Sequence, residues 1–143
     1  LPILATGLDL NRFHILLAVL EKHAGLFLNQ SDIYANITGG FEIVEPVSDL
    51  ALSFAVISSL FKKNLQEQAA FMGEVGLSGE IRPVSHIMPR VLECIRSGCK
   101  KIFIPQKNHS NEKITLAKAL ENFDKNQFII MPIEHVSELR ELS

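Results

Sequence analysis

The chain has 143 residues, 47% hydrophobic and 21% charged, with a formal net charge of −2. That length supports one domain with a sizeable core, and the composition excludes a disordered or fibrous chain. An acidic total argues against a surface that coats nucleic acid generally, and the longest apolar runs (residues 15–20 and 55–57) fall far short of the roughly 18 residues of a membrane span.

Residues 1–8 lack the basic n-region and apolar h-region of a signal peptide. The chain starts without Met and close to structured-looking sequence, so the expected organisation is a single domain, 1–143, excised from a longer cytoplasmic polypeptide. Asp9 is placed to cap a helix that runs to about Ala24, with Phe13, Leu16, Leu17, Leu20 and Ala24 on one stripe and Gly25 as its left-handed stop. Residues 33–37 (IYANI) alternate as a strand and end at Gly39-Gly40, after which residues 41–44 are expected to continue as a second strand. Pro46 opens a second helix to about Phe61, with Ser48 or Asp49 near its first turn. Leu50, Phe54, Ile57 and Phe61 form one apolar stripe; Val47, Ala51, Ala55 and Ser58 form a second, of small residues. A helix apolar on two sides is expected to be sandwiched.

Residues 70–75 and 80–84 read as strands flanking the Gly76–Gly79 turn. Ser85 is the expected cap of a third helix, which tolerates Pro89 and stops at Gly98. A short buried strand (101–104), a loop (108–111), a helix (112–123), a strand (127–131) and a last helix (134–142) follow. This order predicts an α/β domain with antiparallel hairpins first and parallel pairing in its C-terminal half.

Charge is unevenly distributed. Residues 1–60 sum to −4, residues 61–110 to +4 and residues 111–143 to −2. The middle segment can form a local basic face or a set of separately solvated cations. Cys94 and Cys99 are expected to be free thiols, Cys94 on the apolar side of its helix. His14, His23, His86, His109 and His135 are too scattered for a zinc site. The glycine-rich run GEVGLSGE (73–80) has no lysine and no hydroxyl at the offsets a phosphate-binding loop needs. It sets two glutamates where an anion would sit, so its glycines are assigned to turn geometry and close strand approach.

The runs GLDLNRFHILLAVLEKHAG (7–25), NITGGFEIVEPVSD (36–49) and GEVGLSGEIRPV (73–84) together resemble the proteolytic domain of the Lon family. They are closer still to the non-proteolytic Lon-like domain at the C-terminal end of the RadA (Sms) family of bacterial DNA-repair proteins. The resemblance spans roughly residues 7–107. It implies a Lon proteolytic-domain-like, ribosomal-protein-type α/β fold with a mixed sheet packed against helices. In Lon proteases the serine nucleophile opens the second helix, and the lysine lies on the helix after the strand that here ends at Pro83. Val47 and Met88 occupy those positions. Neither side chain can act as nucleophile or base, Ser48 is one residue late, and Arg90 stays protonated. No catalytic residue is assigned, which makes the domain a non-enzyme. An unaligned Ser48–His86 dyad leaves a residual serine peptidase as the alternative.

The resemblance further implies an accessory module of a RecA-like, DNA-dependent ATPase in recombinational repair (branch migration), assembled as a ring, with a hexamer expected for the full-length protein. Its partners would be further copies of itself and branched or single-stranded DNA. The candidate DNA contacts are Lys62, Lys63, Arg82, Arg90, Lys100, Lys101 and Lys107. The domain itself needs no cofactor, because ATP, magnesium and zinc belong to the N-terminal part of such proteins. A pure oligomerisation scaffold, without DNA contact, is a further alternative.

Overall fold

The computed structural model describes residues 3–65 and 67–142. Leu1 and Pro2, at the start of the stretch weighed as a signal peptide, lie outside these residues, as do Gln66 and Ser143. The elements are β1 (Ile3–Thr6), α1 (Leu10–His23), β2 (Ile33–Asn36), a 3-10 turn (Pro46–Ser48), α2 (Asp49–Phe61), β3 (Ala69–Phe71), β4 (Glu74–Val75), β5 (Ile81–Arg82), α3 (Ile87–Arg96), β6 (Lys101–Pro105), α4 (Gln106–Asn111), α5 (Lys113–Ala119), β7 (Ile129–Ile133) and a 3-10 turn (Val136–Glu141). The result is a mixed α/β molecule with parallel and antiparallel sheets packed against helices.

The parallel sheet runs β3-β6-β7 with β6 in the middle. A central parallel strand is covered on both faces, and KIFIP is correspondingly buried from Ile102 onward. Side chains alternate across the strand. Ile102 and Ile104 enter a cluster with Ile87 and Val91 of α3 and with Leu116 and Leu120. Phe103 instead stacks on Phe71 of β3 (ring centroids 4.5 Å apart), which stacks on Phe54 of α2 (4.5 Å). The sheet thus lies between α2 on one side and α3 and α5 on the other.

Helix α1 follows its sequence signals closely. The Asp9 carboxylate accepts from the Asn11 N–H (2.9 Å), the stripe from Phe13 to Ala24 is buried, and Gly25 has φ +70°. The antiparallel β4–β5 hairpin is closed by the Gly79 N–H donating to the Gly76 carbonyl (3.0 Å).

Elsewhere the structure corrects the expectation. β2 pairs in parallel with β1, a strand the sequence pattern did not reveal, in a β-α-β unit rather than a hairpin. Gly39 and Gly40, at φ +89° and +74°, turn the chain so that the Ile43 N–H reaches the Gly7 carbonyl (2.8 Å), and residues 41–44 supply only an isolated bridge. The small-residue stripe on α2 is not sandwiched: Ala51 and Ala55 face solvent, where alanine is simply a good helix former. Ser53 is the fully buried small residue, its hydroxyl donating to the Asp49 carbonyl (2.8 Å). Ser85 does not cap α3, because His86, at φ +55°, takes that position without a side-chain bond. The expected loop at 108–111 belongs to α4 because Asn108 is engaged elsewhere. Its amide accepts from the Val84 N–H (2.8 Å) and donates to the Val84 carbonyl (2.9 Å), standing in for a strand partner. The last segment winds as a 3-10 turn, not an α-helix.

Candidate functional site

The start of α2 is where the elements converge. Pro46 fixes φ at the first position of the 3-10 turn, and the chain enters the helix through Val47, Ser48 and Asp49. These neighbours face different surroundings. Val47 packs, half-buried, on the cluster beneath α3, and so does Met88 from the first turn of α3. The two positions that the resemblance sets against the serine and lysine of a Lon protease are therefore brought to one apolar cluster, and neither side chain carries a group that could move a proton. The Val47 carbonyl accepts from the Gly73 N–H (3.0 Å), which ties the turn to the glycine-rich segment.

Ser48 stands at the N-cap position, yet its hydroxyl donates back to the Glu45 carbonyl (2.8 Å) and caps no helix N–H. His86 is exposed, and among the described residues it shares no hydrogen bond with Ser48.

Asp49 is the polar centre of the site, 7% exposed. Its carboxylate accepts from the Arg12 guanidinium at 2.9 and 3.0 Å and from the Val75 N–H at 3.1 Å, so one side chain joins α1, α2 and β4. Burial pushes this carboxyl above its usual value; the Val75 N–H and the Arg12 charge pull it back, and the Glu74 charge adds to the rise. The sequence reading placed Asp49 only near a helix start, because nothing in a linear pattern links it to Arg12, 37 positions away. A cavity of about 330 Å³ opens beside the pair, bordered by Asp9, Arg12, Glu42, Glu45, Ser48 and Asp49 among others. Four carboxylates against one guanidinium, itself already paired, make this an acidic cleft.

The cationic candidates are spread over several elements. Lys100 and Lys101 stand at the start of β6, and Lys107 lies in the first turn of α4, just past the other end of that strand. Lys63 donates to the Arg140 carbonyl (2.6 Å), beside the C-terminal turn, and Lys62 is the left-handed residue ending α2. Arg82 lies 3.8 Å from the Glu80 carboxylate, and Arg90 bonds Glu45 (3.0 Å) across the mouth of the cleft. Lys100 reaches the Gln127 side chain (3.4 Å). Lys62, Arg82, Lys100 and Lys107 are the exposed members of the set.

A second polar tie was also hidden from the sequence. His135 Nδ1 accepts from the Ser137 N–H (3.1 Å), which leaves Nε2–H to donate to the Ser78 carbonyl (2.9 Å). His23 meets His135 edge-on, with ring centroids 6.2 Å apart. A Cβ on Gly79 would lie 2.7 Å from His135 Nε2 and 2.9 Å from His23 Cβ, so the last glycine of the hairpin is required by close approach as well as by φ +83°. Among the described residues no group of three or more metal-ligating side chains forms.

The family model for subunit ChlI of Mg-chelatase matches residues 18–108. DNA repair protein RadA of Listeria monocytogenes is 45% identical over 111 residues, covering 78% of this chain and 24% of that protein. The RadA proteins of Streptococcus pneumoniae (44% over 116 residues) and Halalkalibacterium halodurans (42% over 105 residues) are similarly related. The chain spans about a quarter of the length of the curated relatives it matches. With more than half its residues matched by that model and RadA proteins aligned over most of its length, the chain belongs to this ChlI-type domain family as a RadA-related segment.

Proposed function

We propose that this chain is a catalytically inert Lon-like accessory domain of a RecA-like, DNA-dependent ATPase, working in the cytoplasm in recombinational DNA repair. It supports assembly of the full-length parent protein into a hexameric ring and offers phosphate contacts to branched or single-stranded DNA. The observation that carries the reading is the apolar convergence of Val47 and Met88 behind a retained Pro46. A hydrolytic site with both reacting positions apolar has no proton to transfer, whereas the relatives named for DNA repair align across this region. Phosphate contacts need only exposed cations in register with a backbone, without base readout. Lys62, Lys100 and Lys107 meet the exposure requirement.

The test uses the full-length protein that carries this chain, with Lys100→Ala and Lys101→Ala combined and, separately, Lys62→Ala with Lys107→Ala. Affinity for forked DNA at low salt is expected to fall about tenfold in at least one pair, with the slope of log K against log salt reduced by about 1–2. Unchanged affinity and slope in both pairs would leave a scaffold without DNA contact. Labelling by a serine-reactive fluorophosphonate, abolished by Ser48→Ala, would overturn the inert reading itself.

A further inference from the structure

The chain contains two cysteines, and the end of α3 brings them together. The Cys99 N–H donates to the Cys94 carbonyl (3.0 Å) and the Gly98 N–H to the Ile95 carbonyl (3.0 Å), with Gly98 at φ +89°. These crossed bonds form a Schellman motif, in which the third-last helical residue and the second residue past the cap usually make an apolar contact. Here both partners carry thiols. A disulfide requires α-carbons roughly 4–7 Å apart, the scale on which such a closed turn holds its ends.

The two sulfurs differ in surroundings. Cys94 belongs to the half-buried layer under α3, and burial, reinforced by the neighbouring Cys99, pushes its thiol up to about 11. It stays protonated at neutral pH and makes a poor first nucleophile. Cys99, 8% exposed, borders a cavity of about 290 Å³ that Cys94 does not line, with Arg96, Lys100 and Asp124 also on its border. The cavity has room for a small oxidant at the Cys99 sulfur.

We propose that Cys99 and Cys94 form a peroxide-sensitive dithiol, with Cys99 as the attacked residue and Cys94 as the resolving one. The Cys99 thiolate attacks one oxygen of a hydroperoxide; the O–O bond breaks, a sulfenic acid forms, and the released alkoxide or hydroxide takes up the proton lost from Cys99. The Cys94 sulfur then attacks the Cys99 sulfur, the S–O bond breaks, and hydroxide leaves with the Cys94 proton as water. Two electrons pass from the two thiols to the peroxide, and the product is a Cys94–Cys99 disulfide across the end of α3. Thiol reductants reverse it.

Trypsin separates the cysteines, since cleavage after Arg90, Arg96 and Lys100 yields VLECIR and SGCK. The full-length protein carrying this chain is treated with hydrogen peroxide, blocked with N-ethylmaleimide and digested. The expected product is the disulfide-linked pair of these peptides, lighter than the sum of the two thiol peptides by two hydrogens and separated by dithiothreitol. In Cys94→Ser, dimedone is expected to trap a sulfenic acid on Cys99. In Cys99→Ser, peroxide is expected to leave Cys94 unmodified. In the untreated wild type, Cys99 should alkylate about tenfold faster than Cys94, a readout that stands even if a variant fails to fold. Absence of the linked pair, or faster alkylation at Cys94, would overturn the proposal.

Discussion

Two sides of one helix start differ sharply in how they are held. On the polar side, Asp49 joins three elements through hydrogen bonds to Arg12 and to the Val75 N–H. On the apolar side, Val47 and Met88 rest against a cluster of aliphatic side chains with no directional bond between them. A directional tie fails when either partner goes, because the remaining group is left buried without compensation. An apolar contact loses only in proportion to the surface and volume removed. The first side therefore fixes where α1, α2 and β4 stand, while the second is open to substitution so long as it stays apolar.

The largest effect should come from the polar side. Arg12→Ala strands the Asp49 carboxylate with only the Val75 N–H, at a site 7% exposed. Removing one partner of a fully buried pair costs about 3–5 kcal/mol. Because 43% of the Arg12 side chain is exposed, water reaches the pair and about 2–3 kcal/mol is expected, read as a lowered urea midpoint at constant m. A loss under about 0.5 kcal/mol would mean that the tie does not organise the cleft.

The apolar side should respond to charge more than to size. Met88→Leu nearly conserves volume and is expected to change stability by less than about 1 kcal/mol. Met88→Lys introduces the residue type expected there from the resemblance to Lon proteases and sets its amine against apolar side chains. Since Met88 is only half-buried, the lysine can extend toward water, which limits the loss to about 1–2 kcal/mol. Equal urea midpoints for the Leu and Lys variants would show that this side is wet, and the comparison with Asp49 would collapse.

What the sequence revealed follows the range of the interactions involved. Helix α1 was legible in full because its cap, stripe and stop are local: Asp9 bonds Asn11, and Gly25 terminates two residues past His23. β6 was legible because four apolar residues between Lys101 and Gln106 leave little choice but a buried strand. β1 was missed since four residues alternating toward the core carry a weak signal until β2 lies beside them. The exposed alanines of α2 illustrate the converse: periodicity cannot distinguish an apolar face that packs from one that merely tolerates water. At the site, the positions of Val47 and Met88 were legible through the resemblance, and their meeting on one cluster is a property of the fold. Asp49–Arg12, Asn108–Val84 and His135–Ser78 join residues 37, 24 and 57 positions apart, the last two through the partner's backbone, which no side-chain pattern reveals.

The smallest effect is a dependence on pH that separates the charge of Asp49 from its shape. Burial raises this carboxyl above 3.8, outweighing the Val75 N–H and Arg12. A carboxyl that holds its proton more tightly when folded stabilises the fold most below its unfolded value, and that contribution is lost as pH rises through the folded one. Asp49→Asn keeps an oxygen for the Val75 N–H and stays neutral at every pH, so it lacks this dependence. Contributions from groups that do not interact with Asp49 cancel in the difference. The unfolding free energy of the wild type minus that of Asp49→Asn is thus expected to decline from about pH 3.5 upward and to level off near neutrality. A difference that rises with pH would mean that the Arg12 charge, and not burial, dominates at Asp49, and the polar side would then be held chiefly by its ion pair.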